Sequence, residues 1–116
     1  MASCRTPAGE SRRCHGVCYV VAEVREAYGE PEDNPEFWQQ ISPITYFGEI
    51  KAPFQIHHGT ADESVPLEWS EKMTNRLREL GKQVELFTYP GQPHEFTSAW
   101  PLVMQRTVSF FRQHLN

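Results

Sequence analysis

Residues 52–80 read APFQIHHGTADESVPLEWSEKMTNRLREL, and the fold turns on how this stretch divides. Its first eight residues form an apolar run bounded by Pro53 and Gly59, a length and composition that suit a strand. From Pro66 to Leu80, Trp69, Met73, Leu77 and Leu80 recur at helical spacing. Acids occupy the first turn and Gly81 follows the last, so an amphipathic helix is expected there. Between strand and helix lies a short polar loop that presents Asp62.

Working outward, KQVELFTYP (82–90) sets Val84 and Leu86 between polar neighbours ahead of Phe87 and Tyr89, and reads as a further strand. The segment from Ser98 to Leu115 places Trp100, Met104, Val108, Phe111 and Leu115 on one helical stripe, with Thr97 or Ser98 as its expected N-cap. Upstream, NPEFWQQI (34–41) and SPITYFGEI (42–50) each open on a capping residue followed by proline, which predicts two short helical turns. GVCYVVAEV (16–24) is rich in β-branched and aromatic residues and reads as a short, buried strand. Strand, helices, strand, helix, strand, helix is an order that forces a parallel sheet, because each long crossover returns the chain to the same end. The expected class is α/β, with about three parallel strands and flanking helices.

The 116 residues suffice for one domain of ordinary size, and 39% hydrophobic with 12% aromatic residues is too apolar for a disordered chain. No apolar run approaches the roughly 20 residues that span a bilayer, so no membrane partner is expected. A net charge of −4 supplies no basic face for phosphates, which argues against nucleic acid. Residues 1–16 (MASCRTPAGESRRCHG) lack periodic apolar pattern and read as an irregular leader ahead of residues 17–116. With no apolar core for secretion, that leader implies a cytoplasmic protein. Cys4, Cys14 and Cys18 are odd in number and confined to the leader and its border, which argues against a disulfide framework. His15 lies between two of them, but four metal ligands at recognised spacing are missing. Neither metal nor cofactor is expected.

Loops that leave the carboxyl ends of parallel strands line the sites of open α/β sheets. Here the two loops carry Gly59-Thr60-Ala61-Asp62 and Pro90-Gly91-Gln92-Pro93-His94. Neighbouring strands lie about 4.8 Å apart, so a hydrogen bond between Asp62 and His94 is geometrically natural. A carboxylate on one ring nitrogen leaves the other free to act as a general base. The bland alternatives are a turn residue and a solvated histidine. Ser64 reads as a turn or capping hydroxyl. His57 and His58 face opposite sides of their strand, one of them expected to pack or hydrogen-bond. Trp38, Trp69 and Trp100 read as core or interface anchors rather than a ligand box.

PFQIHHGTADESVPLEWSEKM, GKQVELFTYPGQPHEF and the closing FFRQHL resemble the carboxyl-terminal part of an α/β-hydrolase, of the prolyl oligopeptidase type of serine peptidase and the related dienelactone hydrolases. The resemblance covers roughly residues 35–116. It implies a partial α/β-hydrolase fold, an ester or peptide substrate, and catalytic roles for Asp62 and His94. The sequence departs from that pattern in lacking a G-x-S-x-G elbow to expose a nucleophile. Ser11 in GESRR has no second glycine and no strand before it, and CHGVC (14–18) is no cysteine version. Two functions therefore stand side by side: a serine-hydrolase-type peptidase or esterase, and a catalytically inactive, truncated hydrolase module. A redox or metal protein using the early cysteines is a third. An unpaired edge on the 16–24 strand and an uncovered apolar face further predict a homodimer.

Overall fold

The structure is a computed structural model that describes residues 17–115, with side chains from residue 21 onward. The expected leader, with Cys4, Cys14 and His15, lies outside the described residues. The chain divides into two compact units, Met1–Ser42 and Pro43–Asn116.

In the first unit the structure corrects the reading of residues 16–24. Val17–Tyr28 is an α-helix, α1, not a strand. The β-branched run misled because local propensity is weak beside pattern. Val17, Val21, Val24 and Tyr28 recur at three- and four-residue spacing, and Gly29 follows as a helix stop. Gly29 adopts φ +81°, and its N–H reaches Arg25 O at 2.8 Å, closing the last turn. The homodimer argued from an edge of that strand loses its premise. Asn34 caps the next helix, α2 (Pro35–Ile41), through the Phe37 N–H, as its Asn-Pro start predicts. The turn between the helices is tied by Asn34 Nδ2 donating to Tyr28 O and Trp38 Nε1 donating to Gly29 O, each at 3.0 Å. Tyr28 and Phe37 stack with ring centroids 4.1 Å apart.

The second unit opens with a 3-10 helix, Pro43–Glu49, and continues as β1 (Phe54–Gly59), α3 (Leu67–Glu79), β2 (Val84–Tyr89) and α4 (Trp100–His114). β1 and β2 pair in parallel, Phe54 opposite Val84 through to Gly59 opposite Tyr89. With 16–24 helical, the sheet has two strands among the described residues rather than about three.

Successive strand residues alternate sides, and the two histidines of β1 show which helix covers which face. His58 bonds Ser70 of α3, while His57 approaches Thr107 of α4 at 3.4 Å. The sheet is therefore sandwiched between α3 and α4. Leu77 and Thr74 of α3 are its most deeply buried residues, joined by Phe47, Tyr89 and Val103.

The α4 face differs from the apolar stripe read in the sequence, whereas α3 turns Met73, Leu77 and Leu80 inward as read. On α4, Trp100, Met104, Val108 and Phe111, with Leu115 at the C-cap, are all exposed, while Val103 is buried and the helix meets the sheet through Arg106 and Thr107 instead. That inner face is chosen by contacts a hydrophobicity count passes over. The Arg106 guanidinium lies 4.2 Å from the Phe87 ring centroid, and Thr107 returns its hydroxyl to Val103 O. On α3, Leu77 is buried and Trp69 is 63% exposed. Trp38 is half-buried, so of the three tryptophans none is a fully buried core anchor.

Candidate active site

Gly59 ends β1, and the chain turns at once, with Asp62 N–H donating to Gly59 O at 3.2 Å. Asp62 Oδ1 then accepts the backbone N–H groups of both Ser64 and Val65 at 2.8 Å. This Asx-type turn delivers the chain to Pro66, the N-cap of α3. Ser64 thus joins the turn through its backbone N–H rather than through the hydroxyl expected of it. The carboxylate that organises the loop is itself only 6% exposed.

The loop after β2 is built against the first. Thr60 N–H donates to Tyr89 O, Ala61 N–H to Gln92 O, and Gly91 N–H to Thr60 Oγ1, at 2.9, 3.0 and 2.8 Å. Gly59 permits this approach: a Cβ there would lie 2.1 Å from Gln92 O and 2.8 Å from Pro93 O. Gln92 also caps α4, its Oε1 accepting Ala99 N–H at 2.9 Å and its Nε2 donating to Ser98 Oγ. The expected N-cap, Thr97 or Ser98, is therefore corrected. Ala99 holds that position with no side-chain cap of its own, and a residue seven earlier in sequence does the work. Pro93–Phe96 forms a turn closed by Phe96 N–H to Pro93 O at 3.2 Å, with Phe96 in the left-handed region at φ +50°. The Phe96 ring meets Tyr89 edge-on at 5.3 Å, which holds that conformation in place.

The turn carries His94 to Asp62. His94 Nδ1 donates to Asp62 Oδ2 at 2.8 Å, between side chains 32 positions apart in sequence. The imidazole is 56% exposed, and Nε2 has no hydrogen-bond partner among the described residues. Desolvation acts to raise the Asp62 pKa, but the Val65 N–H, His94 and the Ser64 N–H outweigh it and bring the carboxyl down to about 2 from an ordinary 3.8. Asp62 is thus a fixed anion at neutral pH. A cavity of about 160 Å³ opens beside the pair, lined by Glu63, Ser64, Pro93, His94 and Glu95. An imidazole with Nδ1–H committed to a buried carboxylate and Nε2 open is suited to take a proton from a hydroxyl brought to that edge.

Two neighbours of the pair carried little signal in the sequence. His58, 5% exposed, lies with Nε2 3.0 Å from Val65 O and 3.5 Å from Asp62 Oδ2. Gln92 joins both loops to α4. Strand alternation says that one of His57 and His58 faces inward, but not that it reaches the Asp62 loop, and nothing local marks Gln92. His57, on the other face, is held by Tyr89 Oη and Gln55 Oε1. Among the described residues no cluster of His, Cys, Asp or Glu could hold a metal ion, and no helix is long and apolar enough to cross a membrane.

The pattern of the prolyl oligopeptidase family matches residues 16–116. The chain belongs to that family. The match reaches upstream over α1, beyond the residues 35–116 that carry the recognisable motifs. Similar proteins include an uncharacterised peptidase of Bacillus subtilis, YtmA, 32% identical over 59% of this chain and 26% of its own length. A second B. subtilis peptidase, YuxL, is 30% identical over 57% of this chain and 10% of its own. The acylamino-acid-releasing enzyme 2 of Oryza sativa is 30% identical over 67% and 11%. Among solved structures, a thermophilic esterase from the planctomycete Thermogutta terrifontis, bound to propionate, superposes with a TM-score of 0.54 at 26% identity. That superposition covers 73% of this chain and 32% of the esterase. The fold is a partial α/β-hydrolase fold, and the chain spans at most about a third of the length of these relatives.

Proposed function

We propose that Asp62 and His94 are the orienting acid and the general base of a serine-hydrolase-type site acting on ester or peptide bonds. The observation that carries this reading is the 2.8 Å bond from His94 Nδ1 to a carboxylate that is buried and already fixed by two backbone N–H groups. In this role His94 Nε2 takes the proton of a nucleophilic hydroxyl as it attacks the substrate carbonyl, then returns it to the leaving alcohol or amine. Asp62 holds the ring's orientation and balances the charge that forms on it. The cavity beside His94 is where that hydroxyl and the scissile carbonyl would meet. Likeness to peptidases and to an esterase supports the reaction class, and the choice between ester and peptide belongs to the assay.

A second reading is favoured by one feature of the sequence: no G-x-S-x-G elbow occurs in its 116 residues. On that reading the chain is a non-catalytic module that keeps the Asp–His geometry and self-associates, with the exposed stripe of α4 as a contact surface. Turnover of a short-chain nitrophenyl ester, labelling by a fluorophosphonate, and light scattering separate the two. Labelling together with turnover that His94→Ala abolishes supports the hydrolase. No labelling, no turnover and a mass of two chains supports the module.

A further inference from the structure

We infer that His58 is a positioning residue for the Asp62–His94 pair, set in its working tautomer by the Val65 carbonyl and held there by Ser70. The inference deepens the reading of that site, but its test needs no turnover. His58 ends the inner face of β1 and is 5% exposed, so its ring nitrogens depend on protein partners. Nε2 is 3.0 Å from Val65 O, a carbonyl that can only accept, so Nε2 carries the hydrogen. Nδ1 is 2.7 Å from Ser70 Oγ and takes the role the ring has left, accepting the serine hydroxyl hydrogen. Ser70 sits on the first turns of α3, and its own carbonyl accepts Thr74 Oγ1 at 2.7 Å, which ties the donor to the most deeply buried part of the helix.

The Nε2–H edge of His58 therefore faces the Asp62 turn from beneath. It holds the Val65 carbonyl and lies 3.5 Å from Asp62 Oδ2, the oxygen that receives His94. Val65 is thus gripped twice, its N–H by Asp62 Oδ1 and its C=O by His58. Holding Val65 through the two peptide units on either side of it steadies the carboxylate's rotation, which decides whether Oδ2 points at His94. With the hydrogen on Nδ1 instead, the bare Nε2 would face both the carbonyl and the carboxylate, a contact of acceptors that would push the turn away. The Val65 carbonyl thereby selects the only tautomer compatible with the pair on the surface, and the serine on α3 complements it at Nδ1.

The test is nuclear magnetic resonance on the intact chain. Long-range nitrogen–proton correlations report which nitrogen of His58 is protonated, and the low-field Nδ1–H signal of His94 reports its bond to Asp62. The inference expects the hydrogen of His58 on Nε2. It expects the His94 signal to be lost in His58→Phe and kept in His58→Gln, whose amide can donate to Val65 O, while the amide spectra of β1 and α3 stay in place in both. Ser70→Ala gives a milder check should His58→Phe not fold: the His58 hydrogen stays on Nε2, but the less firmly held ring makes exchange of the His94 Nδ1–H faster by roughly tenfold. A hydrogen on Nδ1 in the unaltered protein, or a His94 signal unmoved in His58→Phe or Ser70→Ala, overturns the inference. Failure of ester turnover with these signals intact would count against the hydrolase reading and leave this one standing.

Discussion

The loops that follow β1 and β2 leave the same edge of the sheet, yet they are held in opposite ways. The Asp62 loop is closed by bonds within itself, the carboxylate gathering two backbone N–H groups of its own turn and ending almost wholly buried. The His94 loop closes a turn of its own from Phe96 N–H to Pro93 O, but it is placed by what lies outside it: Thr60 and Ala61 of the first loop, the empty space above Gly59, and Gln92 reaching to α4. One loop supplies a fixed charge, and the other presents an imidazole with an open ring nitrogen at the surface. A site that must orient a base and still expose it needs both kinds of construction.

The largest expected effects break the pair at one member at a time. If the chain hydrolyses an ester, His94→Ala lowers the rate at least about 100-fold, the usual contribution of a general base. It leaves the denaturation midpoint nearly unchanged, because an exposed side chain with one partner holds nothing else. Asp62→Ala lowers both the rate and the midpoint, since two backbone N–H groups lose their acceptor. Urea titration of the two variants reads the contrast directly, and equal midpoints would mean that the Asp62 turn does not depend on its carboxylate.

Gly59→Ala attacks the contact between the loops. The added methyl would overlap the carbonyls of Gln92 and Pro93, so the second loop must move or the strand end must, at a cost of about 3 kcal/mol. The His94 Nδ1–H signal should vanish with it. Retention of that signal would show that the second loop can find its place without the first.

Acid sharpens the same comparison. Asp62 has a folded pKa of about 2 against an ordinary 3.8, so the unfolded chain binds the proton first. Its contribution is complete above about pH 4 and is lost as pH falls towards 2. His57, on the opposite face of the sheet, has its pKa lowered from 6.5, by burial first and then by Arg106, against an opposing pull from Glu85. Here too the unfolded chain protonates first, so stability declines as pH drops below 6.5. Midpoints measured from pH 8 to 2 should fall in two limbs, with Asp62→Asn reducing the lower, to which Glu68 beside Lys72 also contributes, and His57→Gln the upper.

What the sequence disclosed follows the same division between local and distant causes. β1 and β2, the strand-to-helix turn at Asp62 and the pairing of Asp62 with His94 were legible because alternation, turn chemistry and parallel-sheet geometry act over a few residues or follow from topology. α1 was misread because its β-branched residues outweighed a spacing and a stop glycine that point to a helix. The inward face of α3 was legible in Met73, Leu77 and Leu80, with Trp69 the exception, whereas that of α4 was not. Arg106 and Thr107 face the sheet through contacts with Phe87 and His57, while the more apolar stripe from Trp100 to Leu115 points outward. For His57 and His58 alternation foretold that one would pack or hydrogen-bond, but not that His58 would meet Ser70 and the Asp62 turn, and nothing foretold Gln92 as the link between the loops and α4.

The smallest effect is expected at Gly91, the other glycine of the two loops, and it isolates backbone conformation from space. Gly91 has φ +68°, and a Cβ there would meet nothing within 4 Å. Gly91→Ala therefore pays only for placing an L-residue in the left-handed region, about 1 kcal/mol. Asparagine tolerates that region better, so Gly91→Asn should recover part of the loss, whereas no such rescue is open to Gly59, where the obstacle is the Gln92 carbonyl. The Gly91 N–H donates to Thr60 Oγ1 whatever its side chain, so the His94 signal should survive both substitutions. Urea midpoints in the order glycine, asparagine, alanine, with the Asp62–His94 bond intact throughout, would establish that the second loop needs a glycine at 91 for its turn and one at 59 for its place.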